Sequence, residues 1–159
     1  MIGTGAIVRR FILICSLATM AFIVLWPRPC TYSSHAMHDA AFGVDAMLDD
    51  GSQYFFETKH IPLVPGTSFG WRLKLAEPDR PMLLREEFVL PAPPAYWGVS
   101  SDTMLSDDRR VAITERIVTP ENGRLESRWV VTPGDPAGRY RLRVFLDDAL
   151  VGNFYVTAE

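Results

Sequence analysis

The sequence predicts an all-β domain: an antiparallel sandwich of about seven to eight short strands, preceded by one N-terminal hydrophobic signal or anchor helix. Three observations carry this expectation. Apolar and polar residues alternate over several segments of the C-terminal two thirds, the period of a half-buried strand. These segments are short and divided by turns rich in Pro, Gly and Asp, which fits a sandwich and not a parallel α/β sheet. After Leu48 no stretch carries a convincing helical period, and no internal repeat is visible.

At the N-terminus, Arg9 and Arg10 precede an apolar run from Phe11 to Trp26. At ~1.5 Å per residue the run reaches roughly 24 Å, short of a ~30 Å hydrocarbon core. Residues 1–30 therefore read as a signal peptide or a short transmembrane anchor with Trp26 at the interface. The paired arginines put the N-terminus in the cytoplasm and the rest outside. The expected location is the periplasm, either anchored in the inner membrane or released after cleavage. Ser34-His35-Ala36 offers small residues where a signal peptidase wants them, though far from the run. Cys15 and Cys30 both precede the domain, which can hold no internal disulfide. Ile14 and Pro29 stand directly before them, a poor fit to lipidation. A retained Cys30 could bridge to another chain in an oxidising compartment, but an idle thiol is the stronger reading.

Residues 31–41 read as a polar linker and 42–159 as one domain, enough for a single core. After Cys30, thirteen Lys and Arg stand against nineteen Asp and Glu, which argues against general nucleic-acid binding. Ala41 to Leu48 reads as a first strand or a short helix. Strands follow at Gln53–His60, Ser68–Ala76, Leu83–Leu90 and Arg109–Val118. Phe69, Trp71, Leu73 and Leu75 alternate with Arg72 and Lys74. Leu84, Phe88 and Leu90 share one face, as do Val111, Ile113 and Ile117. Between these two strands Pro91 to Asp108 forms the longest interruption, opening on a proline run that favours polyproline II.

Three closing strands read as an antiparallel meander with one buried and one wet face. Leu125, Ser127, Trp129 and Val131 line one face of the first, and Tyr140, Leu142, Val144 and Leu146 one face of the second. Leu150, Phe154 and Val156 continue the pattern in the third. Thr132 to Gly138 carries the Pro and Gly of a reversal, and Asp147-Asp148 fits a short hairpin turn.

No constellation calls for catalysis or a cofactor, so the expected protein is not an enzyme. His35-x-x-His38-Asp39 has a metal-like spacing, but it lies in the linker and nothing downstream completes a ligand set. A solvated linker is the stronger reading, and His60 alone beside a turn reads as a surface histidine. Glu86 and Glu87 are adjacent on a strand, so they face opposite ways and cannot act as a pair. Asp107-Asp108 reads as loop solvation. No serine sits in a nucleophile elbow, and the domain has no cysteine.

Two features offer binding chemistry. Arg139, Arg141 and Arg143 form a stripe on the wet face of one strand, with Arg128 nearby, able to meet an anionic lipid or glycan. The competing and stronger reading is a solvated face balanced by Glu115 and Glu126. Tyr96 and Trp97 follow the proline run as candidate anchors for a partner, against a Trp97 that folds back to cap the sandwich.

The run Thr58-x-x-Ile61-Pro62, Gly66-x-x-Phe69-Gly70 and Leu90-Pro91 resembles small exported bacterial domains of unknown function. The tail Trp129, Pro133-Gly134-Asp135, Gly138-x-Tyr140-x-Leu142-x-Val144 and Phe154-x-Val156 resembles the closing strands of extracellular immunoglobulin-like domains. The resemblance implies an immunoglobulin-like sandwich and transfers no site residues. The expected role is a non-enzymatic interaction or accessory module of the cell envelope, with a protein partner bound through an exposed edge strand or the Pro91-to-Asp108 loop, and a membrane-associated N-terminus. The alternative is an anionic-ligand domain that uses the arginine face.

Overall fold

The computed structural model describes residues 37–76, 80–98 and 100–159. These form ten strands: β1 (Met37–Met47), β2 (Gln53–Glu57), β3 (His60–Ile61), β4 (Ser68–Leu75), β5 (Met82–Val89), β6 (Thr103–Leu105), β7 (Val111–Val118), β8 (Arg124–Val130), β9 (Gly138–Leu146) and β10 (Ala149–Ala158). They assemble as two packed sheets, one in the order β2-β1-β4-β8 and the other β3-β10-β9-β5-β7-β6. All pairings are antiparallel except β3 with β10.

The core lies between the sheets, where alternation places it. From β4 come Phe69, Trp71, Leu73 and Leu75, and from β9 Tyr140, Leu142, Val144 and Leu146, all buried. Met82, Leu84 and Phe88 of β5 complete the central contact. Tyr140 donates its hydroxyl to the carbonyl of Pro136 at 2.7 Å, pinning the start of β9 to the turn before it.

Several expectations are corrected. Residues 37–41, read as linker, belong to β1, where they pair with β4 from Leu75 to Arg72. A register shift between Met37 and Asp39 hides the alternation, so main-chain pairing holds this segment where side-chain pattern does not. The open choice at Ala41 to Leu48 resolves as strand. The segment Gln53 to His60 is two strands, β2 in one sheet and β3 in the other. The closing strands are not a meander: β8 pairs with β4, and Thr132 to Gly138 carries the chain across to the opposite sheet. Of the three closing strands only β9 and β10 form a hairpin, over Asp147 and Asp148 with φ of 45° and 68°. In β10 a bulge between Leu150 and Gly152 turns Leu150 outward and buries Val151 instead. The shared face of Val111, Ile113 and Ile117 is the outer one, with Ile117 68% exposed. The inner face of β7 carries Ala112, Thr114, Arg116 and Val118, as pairing with the inner residues of β5 requires. Inside the long loop, three residues pair with β7 as β6, too short to show a period. The N-terminal segment 1–30, both cysteines and His35 lie outside the described residues.

Candidate functional site

Sandwiches are open along their two lateral sides, and here one side is an aromatic cleft of about 320 Å³. Its walls come from β8 on one sheet and from β6 and β7 on the other, and the Pro91-to-Gly98 loop closes one end. Phe88 forms the floor. Around it stand Trp129 with ring centroids 5.2 Å away, Tyr140 at 5.6 Å and edge-on, and Trp97 at 6.0 Å and edge-on. Phe69 stacks behind Trp129 at 6.0 Å. The cleft's polar lining comes from Thr103, Thr114, Arg128, Thr132 and Asp135. Thr103 and Thr114 share a hydrogen bond of 2.9 Å across β6 and β7, and Asp135 lies at the opposite rim.

Trp97 and Tyr96, adjacent in sequence, do different things. Trp97 folds back onto the core and donates its indole N–H to the carbonyl of Arg109 at 2.8 Å. Arg109 holds a left-handed φ of 55° in the β6–β7 turn, which aims that carbonyl at the loop. Tyr96 stays 66% exposed at the cleft mouth. The loop is further held by the amide of Ala95, which donates to the carbonyl of Gly134 at 3.2 Å. Asp135 fixes that turn by accepting from the amide and hydroxyl of Thr132 at 2.8 and 3.1 Å. Burial, and secondarily the Asp135 charge, push the Tyr140 hydroxyl up to about 12, so it stays a hydrogen-bond donor at any physiological pH.

Further along the interior sits a group that sequence reasoning placed on a strand face without assigning it a side. Glu86 is buried on the inner face of β5. It accepts from the indole N–H of Trp71 at 2.7 Å and from the Ser127 hydroxyl at 3.4 Å, and Arg116 stands 3.7 Å away. Burial raises its pKa, opposed by those hydrogen bonds and the arginine. Its neighbour Glu87 faces the outer side and pairs with Arg85 at 2.8 Å and with Arg143. The two carboxylates do not converge, as their adjacency requires. Among the described residues no group of three His, Cys, Asp or Glu side chains could hold a metal. His60 is exposed, 3.1 Å from Glu159.

The arginine stripe divides in the same way. Arg143 is tied to Glu87, whereas Arg141 reaches the Asn153 side-chain oxygen at 3.3 Å and the Tyr155 ring at 5.3 Å. Arg139 is exposed. Arg128 belongs to the other sheet, where it clasps the buried Asp45 at 2.8 Å and Glu126 at 2.7 Å.

Two facing sheets, a strand that pairs parallel with the last one, and a tyrosine anchoring the crossover into the penultimate strand define an immunoglobulin-like β-sandwich. Residues 40–158 match the PM0630 beta sandwich domain model, and the chain belongs to that family. Among solved structures it is similar to an immunoglobulin-like protein of Pseudomonas aeruginosa. That likeness has 19% identity and a TM-score of 0.51 over 76% of this chain and 92% of the other, which is a likeness of fold alone. Partial likenesses at a TM-score of 0.35 to an alkylpurine DNA glycosylase of Pseudomonas fluorescens and a β-glucosidase of Listeria innocua carry no functional information. No curated protein has a matching sequence.

Proposed function

We propose that this domain is a non-enzymatic interaction module of the bacterial cell envelope, exported by its N-terminal segment and either tethered to the inner membrane or secreted. The aromatic cleft is its contact site for a protein partner. One observation carries the reading: five aromatic rings converge on a cleft of about 320 Å³ whose mouth presents an exposed tyrosine. Concavities walled by aromatic rings with a few polar groups accept a single anchoring side chain, and tyrosine at the rim is a favoured contact. Trp97 shapes this site from within, and Tyr96 meets the partner. Paired-carboxylate chemistry has no support, because Glu86 faces the interior and Glu87 the outer sheet surface.

The test is site-specific photocrosslinking in intact cells, with a benzophenone amino acid at position 96 and, for comparison, at exposed Ile117 on the outer sheet face. One envelope protein captured at 96 and not at 117, and lost when Thr103→Trp fills the cleft, supports the reading. Equal capture from both positions, or capture insensitive to the filled cleft, overturns it. The intact mass of the bait reports separately whether the leader remains.

A further inference from the structure

The opposite lateral side of the sandwich is also open, and its chemistry differs. At the end of β10, Thr157 and the following Glu159 turn their amides away from β9, toward the segment 59–63. The amide of Thr157 donates to the carbonyl of Lys59 at 2.7 Å and that of Glu159 to the carbonyl of Ile61 at 3.0 Å. Leu63 returns a bond to the carbonyl of Glu159 at 2.8 Å. By the two-residue period, Asn153 and Tyr155 direct their amides and carbonyls to the same edge. There β3 has not yet begun, and among the described residues no strand pairs with them.

The facing sheet reaches one strand further at this point. Tyr54 and Phe56 of β2 lie opposite Ala46 and Val44, so they share the inward face of Phe42. Both are nevertheless 56% exposed, and among the described residues no strand lies over them. The gap between β1 and β10 measures about 420 Å³ and is lined by Phe42 and Phe154, with Glu57 and Lys59 at its rim. On the outer surface, Arg139 and Arg141 of β9 stand one strand in from the edge. Neither has a carboxylate partner among the described residues, whereas Arg143 has Glu87.

We infer that this edge is a strand-addition site for an extended acidic segment of a partner protein, apolar on one face and carboxylate-bearing on the other. Each property follows from one observation. Free main-chain groups at Asn153 and Tyr155 require an extended backbone. Uncovered Tyr54 and Phe56 require apolar side chains on the inward face. An added strand lies ~4.8 Å beyond β10, so its outward side chains stand about 10 Å from β9, within joint reach of arginine and glutamate. Arg141, in the row of Tyr155, and Arg139, one row further at Thr157 beside β3, have no carboxylate partner among the described residues and therefore select acids there. The chain itself uses the far end of this slot for β3, the one parallel pairing in the fold. This site is independent of the aromatic cleft, which lies on the other side of the sandwich.

The full-length protein is titrated with a fluorescent ten-residue peptide that alternates valine with glutamate, and with a second that alternates valine with lysine. The acidic peptide is expected to bind, more weakly as salt rises, and to slow hydrogen exchange at the amides of Asn153 and Tyr155. Arg139→Glu with Arg141→Glu is expected to weaken it at least tenfold, and Phe56→Glu, at an exposed position, to weaken it independently. Equal binding of the lysine peptide, affinity unmoved by charge reversal, or protection that falls elsewhere overturns the inference. Because exchange is read at β10, failure here is distinguishable from failure of the cleft, which is read by crosslinking at position 96.

Discussion

Glu86 is a charge-bearing group inside an apolar core, and its surroundings determine what acidification does. Its folded pKa lies above the ordinary glutamate value of 4.5 because burial disfavours the charged form more than Trp71, Ser127 and Arg116 favour it. The native state then holds the proton more tightly than the unfolded chain, so the group's contribution to stability falls as pH rises from about 4.5 through the folded pKa. Glu86→Gln removes this titration but keeps an oxygen for the Trp71 N–H. We predict that wild-type stability declines relative to Glu86→Gln across that window and that the difference is flat below it, measured as denaturant midpoints from pH 4 to 7. Asp108, lowered chiefly by its hydrogen bond from Ser106, acts with the opposite sign nearer 3.8, and it is common to both proteins and cancels. A pH-independent difference would sink the assignment. Trp71→Phe leaves the carboxylate without its nearest donor and is expected to cost about 1–3 kcal/mol in the same measurement. The opposite facing of Glu86 and Glu87 was legible in the sequence. Glu86 also shares the parity of Leu84 and Phe88, which marks it as the inward one, whereas its partner, the N–H of a tryptophan fifteen residues away, was not legible.

At the scale of elements, the β9–β10 turn makes a sharp case, since both central residues are aspartates at positive φ. Such a primed turn matches the twist of the strands, but a side chain at its second position is strained. Asp147 compensates: its carboxylate accepts from the Leu83 amide at 3.0 Å and from Arg80 at 2.8 Å. We expect Asp148→Gly to stabilise by ~0.5–1 kcal/mol and Asp147→Gly to destabilise by about 1 kcal/mol. Thermal midpoints that move together would refute this division. Gly70 has a different reason to be glycine, because a Cβ there would collide with the Ser127 carbonyl in the β4–β8 ladder. Gly70→Ala should therefore cost roughly 1–3 kcal/mol in denaturant titrations. Strands such as β4 and β9 were readable because four consecutive inward positions are apolar. The mispaired β8 was not, since Leu125, Ser127 and Trp129 fit the inner face of either sheet and a Pro-Gly turn serves a hairpin or a crossover equally well. The bulge in β10 shifted the pattern by one residue, which alternation alone cannot register. At the candidate sites, Trp97 was named as either anchor or cap, and a backbone carbonyl in a turn twelve residues later decides for the cap.

Over the whole molecule, burial is unevenly distributed, and local stability should follow it. Strand β9 is paired on both sides, by β10 and β5, and its inward residues from Tyr140 to Leu146 are all buried. Strands β4 and β5 have the same two-sided pairing; β5 neighbours β9 in its sheet and β4 faces them across the core. At the margins, among the described residues β2 pairs with β1 alone and leaves Tyr54 and Phe56 uncovered, and β6 contributes three residues to β7. Opening a region costs in proportion to the apolar surface it exposes, so marginal strands open without the rest. We predict that native-state hydrogen exchange is slowest in β9, β5 and β4, at the free energy of global unfolding, and faster by orders of magnitude in β2 and β6. The two open sides of the sandwich are bordered by those two strands, so the proposed binding surfaces lie where the fold gives way most easily. A partner seated along β10 and under β2 would cover the aromatic face of β2 and raise its protection toward that of the core. Equal protection of β2 and β9 in the free protein would mean that the β1–β2 hairpin is clamped by something other than the contacts described, and the vacant strand position would lose its physical basis.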